Sequence, residues 1–180
     1  MKRSTRRWPS GLALLLATCA PRPPADVPFL VTPPEIVEQM LRLARVRPDD
    51  VVYDLGSGDG RIVIAAARDF RARQAVGIEI DPALVTRSRE YARRAGVADR
   101  VTFREQDLFQ ADLSSATVVT LYLTREVNLR LRPKLLADLT AGTRVVSFNF
   151  DMGEWEPAAV VRVDVSGRST PVYLWVVPAR

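Results

Sequence analysis

The stretch VVYDLGSGDGRIVI, Val51 to Ile64, decides how the rest of the chain is read. An apolar run ends in an acid, a glycine-rich turn follows at once, and a second apolar segment begins. That order describes a strand, a tight loop and the start of a helix. Gly56, Gly58 and Gly60 lack Cβ atoms, so the loop around Ser57 can adopt positive φ and let a ligand touch its backbone. The next strand candidate carries Glu79 near its end, 19 residues beyond Gly60. An acid there is suitably placed to grip ribose hydroxyls. These features point to a nucleoside-containing cofactor; the alternative is an ordinary βα turn whose glycines serve packing only.

Charge and spacing choose among such cofactors. A dinucleotide fingerprint reads GxGxxG and holds an anionic pyrophosphate at a helix N-terminus. The loop here reads GxGxG, with Asp54 just before it and Asp59 inside it. Two carboxylates would repel a pyrophosphate, and no basic residue in the loop precedes Arg61 to compensate. S-adenosyl-L-methionine has no phosphate and carries a cationic sulfonium and an ammonium, so an acid at Asp54 suits it.

At 180 residues the chain has the length of one domain with a substantial core. Its net charge of +5 invites a nucleic-acid partner, but Lys2, Arg3, Arg6 and Arg7 carry four of those charges. A nucleic-acid binder concentrates basic residues on its folded face, so no nucleic-acid partner is expected. The chain has no histidine and one cysteine, Cys19. Serine–histidine triads, HExxH zinc sites, cysteine-rich metal sites and intrachain disulfides are thereby excluded, and no metal is expected. Chemistry without imidazole or a nucleophilic core thiol fits transfer of a pre-activated group, which mainly needs an aligned acceptor.

Residues 1–20 have the layout of an export signal or lipoprotein-like anchor: a basic start, a short apolar run from Gly11 to Ala17, then Thr18-Cys19-Ala20. The apolar run is shorter than the roughly 20 residues a membrane-spanning helix needs. Residues 21–28 are a proline-rich linker and 29–180 the folded domain. Membrane attachment or export is one expectation for location. A cytoplasmic protein with a start assigned too early is the other.

Within the domain, Pro33 to Ala44 reads as an amphipathic helix with Thr32 as N-cap and Glu35 three residues on. Strand candidates follow at Val51–Leu55, Ala75–Ile80, Val101–Arg104, Thr117–Leu123 and Arg144–Phe150, with helices at Gly60–Phe70, Pro82–Ala95 and Glu126–Leu139. Val160–Val165 and Val172–Val177 read as a closing hairpin that adds two edge strands. Strands alternating with helices predict an α/β, Rossmann-like, doubly wound, mostly parallel seven-stranded sheet ending in an antiparallel hairpin.

Ligands of such sheets sit beyond the carboxyl ends of the strands. Besides Asp54, the glycine loop and Glu79, this places Ile80 against an adenine face. It sets Asp107, with Leu108 beside it, to accept from the adenine amine or to cap a turn. After strand four, Tyr122 either lines an apolar channel for a lysine side chain, favouring a methylammonium by cation–π attraction, or is core. Asn128 and Arg132 belong either to that region or to a solvated helix face. Phe148, Asn149, Phe150, Asp151 and Trp155 form an aromatic-acidic cluster. It is either a rim at which Asn149 and Asp151 help deprotonate an incoming amine, or packing.

Several segments resemble class I S-adenosylmethionine-dependent methyltransferases: VPFLVTPPEIVEQML, VVYDLGSGDGRIVIAAA, AVGIEIDPALV, RVTFREQDLF, TVVTLYLTREVNLRLRPKL and GTRVVSFNFDMGEW. The resemblance, from about Val27 to Pro157, narrows to the small protein-lysine methyltransferases that include archaeal broad-specificity and mitochondrial ATP-synthase c-subunit enzymes. It implies that Asp54, Gly56, Gly58, Glu79 and Asp107 contact the cofactor, that Phe29 and Thr32 close over it, and that a protein lysine is the acceptor. Methylation of a small molecule, or a non-catalytic exported protein keeping the cofactor fold, are the competing readings. A monomer is favoured.

Overall fold

The structure is a computed structural model that describes residues 31–179. The leader, the linker and Phe29 lie outside the described residues.

β1 (Val51–Leu55) is buried at all five positions. It has parallel neighbours on both sides, β2 (Gln74–Glu79) and β4 (Val118–Leu121). A strand buried on both faces and both edges packs apolar side chains on each, which is why its sequence shows an apolar run, broken only by Asp54, and not an alternation. Successive side chains leave opposite faces of the sheet. Val52 therefore joins one core, with α1 (Pro34–Leu43), α2 (Arg61–Arg68) and α3 (Pro82–Arg94). Val51, Tyr53 and Leu55 join the other, under α4 (Arg125–Asp138).

β3 (Val101–Glu105), β5 (Arg144–Phe148), β6 (Ala159–Val165) and β7 (Arg168–Val176) complete seven strands in the order β3-β2-β1-β4-β5-β7-β6. The first five are parallel, and β7 runs antiparallel between β5 and β6. The expected sheet is therefore present, with one correction: the hairpin supplies one edge strand, β6, because β7 is inserted beside β5.

Local chemistry explains the other departures. Thr32 does not cap α1. Pro33 holds the N-cap position without a side-chain bond, and its carbonyl accepts from the amides of Ile36 and Val37. β4 stops at Leu121, short of Tyr122, and β5 stops at Phe148 because Asn149 has φ 71°. Asp81 caps α3 as the Asp81-Pro82 pair predicts, accepting from the Ala83 amide at 2.8 Å.

At the amino ends of the strands a polar clamp joins α1, β1, β4 and β5. The Asp50 carboxylate, only 4% exposed, pairs with Arg144 and accepts from the Thr117 hydroxyl at 2.7 Å and the Arg47 amide at 2.7 Å. Arg144 also donates to the carbonyls of Ala44 and Arg45 beyond the end of α1. Removing the cation would leave a buried carboxylate short of a partner. Arg144→Ala is expected to lower unfolding stability in urea by roughly 2–3 kcal/mol, with Arg144→Lys recovering only part because one ammonium cannot span all three acceptors.

Candidate active site

The glycine loop is built between β1 and α2 by three backbone bonds. The amides of Gly56 and Ser57 both donate to the Ile78 carbonyl at 2.9 Å, and the Gly60 amide donates to the Ser57 carbonyl at 2.8 Å. Packing accounts for two of the loop glycines. A Cβ on Gly60 would lie 2.4 Å from the Phe103 ring, and one on Gly56 would lie 2.8 Å from Leu123. Gly77 on β2 is held to glycine in the same way, by Ser57 Oγ at 2.6 Å and Phe103 at 2.7 Å. The loop thus lies on a floor of Phe103, Gly77 and Leu123, and Ser88 Oγ ties it to α3 by donating to the Gly58 carbonyl at 3.0 Å.

Two carboxylates face this loop. Asp54 stands in register with Gly77 on one side and Thr120 on the other, and its Oδ1 accepts from the Thr120 hydroxyl at 2.7 Å. Glu79 reaches across from β2: its Oε2 accepts from the Gly58 amide at 2.8 Å, while Oε1 accepts from the amides of Ile80 and Asp81. Glu79 therefore shapes the glycine loop as well as facing a ligand, a role its position in the sequence did not disclose. Burial pushes the Asp54 carboxyl up to about 7; Thr120 opposes that rise, and the charges of Glu79 and Asp59 add to it.

Asp59 differs from its neighbours. Arg61 holds it through Nε at 2.9 Å and Nη2 at 2.5 Å, and Nη1 of the same guanidinium donates to the Thr32 carbonyl at 2.7 Å. Arg61, the first basic residue after the loop, thus neutralises Asp59 and fastens the entering chain to the loop. Among the described residues neither Asp54 nor Glu79 has an ion pair with Lys or Arg. A cationic ligand is what this buried pair lacks, and an ammonium group fits it. Ser57 Oγ, buried without a hydrogen-bond partner, is a second unfulfilled polar group in the loop.

Ile80 is half-buried just past β2. Asp107 spends both oxygens on its own turn, accepting from the Phe109 amide at 2.9 Å and the Gln110 side chain at 3.2 Å. It caps the 3-10 turn Leu108–Gln110, which leaves Leu108 half-buried beside it. Thr32 is buried at the same end, held through its carbonyl.

Beyond β4 and β5, Tyr122 packs edge-on against Phe148 with ring centres 4.8 Å apart, half-buried rather than enclosed. Asn149 is exposed, and its amide donates to the Pro171 carbonyl. Asp151 accepts from the Gly153 amide at 2.8 Å and from Arg125 at 3.2 Å; the Gly153 bond first, then Arg125, hold its carboxyl below the usual range. Those contacts oppose the expected role of Asp151 in deprotonation. Asn128 is fully buried, so the solvated-face reading is also corrected. Its amide donates to Ser147 Oγ at 3.0 Å and the Phe150 carbonyl at 3.1 Å, while Arg132 donates to the Met152 carbonyl at 2.9 Å. Together they fasten the loop after β5 to α4.

Thr120, Ser88, Phe103 and Leu123 escaped the reading of the sequence. Each acts through strand register or a neighbouring helix; Phe103, Thr120 and Leu123 stand in segments that carry the family resemblance, but those segments assign none of them a role.

The model of the ANTKMT methyltransferase domain matches residues 54–159. A protein-lysine N-methyltransferase of Saccharolobus islandicus is 43% identical over 151 residues, 84% of this chain and 94% of that protein. The mouse adenine nucleotide translocase lysine N-methyltransferase is 42% identical over 76% of this chain, which spans only 58% of that longer protein. A crystal structure described as an RNA methyltransferase from Salinibacter ruber, in complex with S-adenosyl-L-homocysteine, is 56% identical. It superposes with a TM-score of 0.79 over 84% of this chain and 95% of that one.

The raised Asp54 carboxyl has a measurable consequence. The folded chain keeps a proton at Asp54 that the unfolded chain has lost once pH exceeds about 4. Stability therefore falls as pH rises from about 4 to 7, and the loss is complete above pH 7. Asp54→Asn should remove that fall, leaving the variant more stable than the parent at pH 8 by an amount on the order of 3 kcal/mol, as read from denaturant unfolding at several pH values.

Proposed function

The chain belongs to the ANTKMT methyltransferase domain family, and from that premise we propose that it transfers a methyl group from S-adenosyl-L-methionine to a protein lysine. The observation that carries the cofactor is the buried pair Asp54 and Glu79, which no Lys or Arg among the described residues compensates. In this reading Asp54 takes the ammonium of the cofactor. Glu79, already bonded to Gly58, takes the ribose hydroxyls with its remaining lone pairs. The loop from Gly56 to Gly60 allows close approach, Ile80 and Leu108 flank the adenine, and Asp107, whose oxygens keep lone pairs beyond their turn bonds, accepts from its amine. When bound, the cofactor supplies an electrophilic methyl on its sulfonium.

The chain's own work at the acceptor is to strip water from the incoming amine and aim it. Tyr122 and Phe148 offer aromatic surface for that, and burial beside it lowers a lysine's affinity for its proton. With Asp151 held below the usual carboxylate range, the proton leaves to solvent as the amine enters, not to a side-chain base. A protein acceptor is supported by the names of the archaeal and mouse relatives. The Salinibacter protein is described as acting on RNA, and that is the second reading. The loop after β5 argues against it: Asp151, Glu154 and Glu156 place negative charge where a phosphate backbone would have to lie.

Incubating the protein with methyl-labelled cofactor and a cell lysate separates the two. Label is expected in protease-sensitive material, on lysine by mass spectrometry; label lost on ribonuclease treatment instead would refute the lysine reading. Glu79→Ala should weaken cofactor binding by roughly 1.5–3 kcal/mol in calorimetry, since it removes charge-assisted bonds and the anchor of the Gly58 amide.

The proposal includes membrane association through residues 1–20, supported by their basic and then apolar sequence. It is supported also by the bond from Arg61 to Thr32, which brings the chain into the fold at the glycine-loop end. A tether there would hold the site near the bilayer. The full chain is expected in the membrane fraction and a version lacking residues 1–20 in the soluble one; equal partition of the two would remove the anchor.

A further inference from the structure

The edge strand β6 has the features of a self-complementary interface. It ends the sheet and reads Ala159-Val160-Val161-Arg162-Val163-Asp164-Val165, seven residues without proline or lysine. Exposed edges are usually blunted by such residues, by bulges or by shortness, because a row of unpaired amides invites another strand. β6 is longer than β3, the five-residue strand at the opposite edge.

The hydrogen-bonding direction of each residue follows from the hairpin. Val165 and Arg168 face each other across Ser166 and Gly167, whose φ values of 53° and 78° mark a two-residue turn of the kind that closes hairpins. The residues flanking such a turn bond to each other, and the bonded pairs recur every second residue. Val165, Val163 and Val161 thus turn their amide groups inward to β7. Val160, Arg162 and Asp164 turn theirs outward. Pro171 agrees with this: it lies opposite Arg162, needs no amide there, and offers its carbonyl to Asn149 on the other side.

Side chains alternate as well. Val161, Val163 and Val165 are half-buried against the core beneath α1 to α3, while Arg162 and Asp164 are exposed on the other face. Among the described residues neither charge has an ion pair: Arg162 reaches the Ser169 carbonyl at 3.4 Å, and Asp164 accepts from the Gly167 amide at 2.9 Å.

We propose that β6 pairs antiparallel with β6 of a second copy of this chain, about a two-fold axis at Val163. In that register Arg162 lies opposite Asp164 of the second copy, and the reverse pair is made at the same time. The outward amides of both residues find partners. Val163 meets its own counterpart, and Val161 meets Val165, on the face already half-buried. Charge selects this register. An axis at Arg162 would set arginine against arginine, and one at Asp164 would set aspartate against aspartate, both unfavourable across a strand pair. The result is one sheet of twice the width, a departure from the monomer expected from the sequence. β6 is four strands removed from β1, so the glycine loops lie far from the contact.

Sedimentation equilibrium of the full chain tests this. The parent is expected at twice the 20.0 kDa chain mass. Arg162→Asp gives two acids on each edge and Asp164→Arg gives two bases, so each variant alone is expected as a monomer. Mixed together, they are expected to form a heterodimer, and the doubly exchanged chain should dimerise again. Since the mixture associates only if both chains are folded, misfolding does not imitate the result. A parent that stays monomeric, single reversals that stay dimeric, or a mixture that fails to associate would each overturn the proposal.

Discussion

The carboxylate of Asp54 is the constraint around which the rest of the molecule is arranged. It is buried at the carboxyl end of the central strand, satisfied in part by one hydroxyl from Thr120, and close enough to Glu79 and Asp59 for their charges to raise its proton affinity further. A fold does not keep such a group for stability, since burying a carboxylate without a cation is unfavourable. The arrangement makes sense when the missing charge arrives with a ligand. Arg61, the nearest candidate for internal compensation, is committed to Asp59 and to Thr32.

That carboxylate is usable only because the loop beside it is held open. Phe103 and Leu123 occupy the space that side chains on Gly60 and Gly56 would need, so the glycines serve the packing of the loop as much as its conformations. Glu79 adds a second restraint by accepting from Gly58 and from the first amides beyond β2. Binding group and scaffold are here the same side chain.

Stability and chemistry are concentrated at opposite ends of the strands. The Asp50–Arg144 pair, with Thr117 and the end of α1, closes the amino ends with its buried carboxylate compensated. The carboxyl ends hold the uncompensated pair and the loops after β4 and β5. Asn128 and Arg132 fasten the second of those loops, so an acceptor would meet a surface fixed by α4. Asp151, the acid whose place in the sequence suggests catalysis there, is bound into its own turn.

Much of this was legible in the chain alone. The apolar run of β1, the three glycines, and the positions of Asp54 and Glu79 determine a parallel α/β sheet and a cofactor with cationic character, because strand burial, backbone freedom and charge are local properties. The same holds for the Asp81-Pro82 cap of α3. Thr32 misled as a cap because two successive prolines restrict the backbone of the helix entrance. Tertiary structure alone decided what lies across space from each motif. It set Thr120 beside Asp54 through strand register, placed Phe103 under Gly60, tied Arg61 to Thr32, buried Asn128, and put β7 inside β6. Those outcomes depend on which elements become neighbours and in what register, and residues 20 to 70 positions apart carry no local mark of meeting.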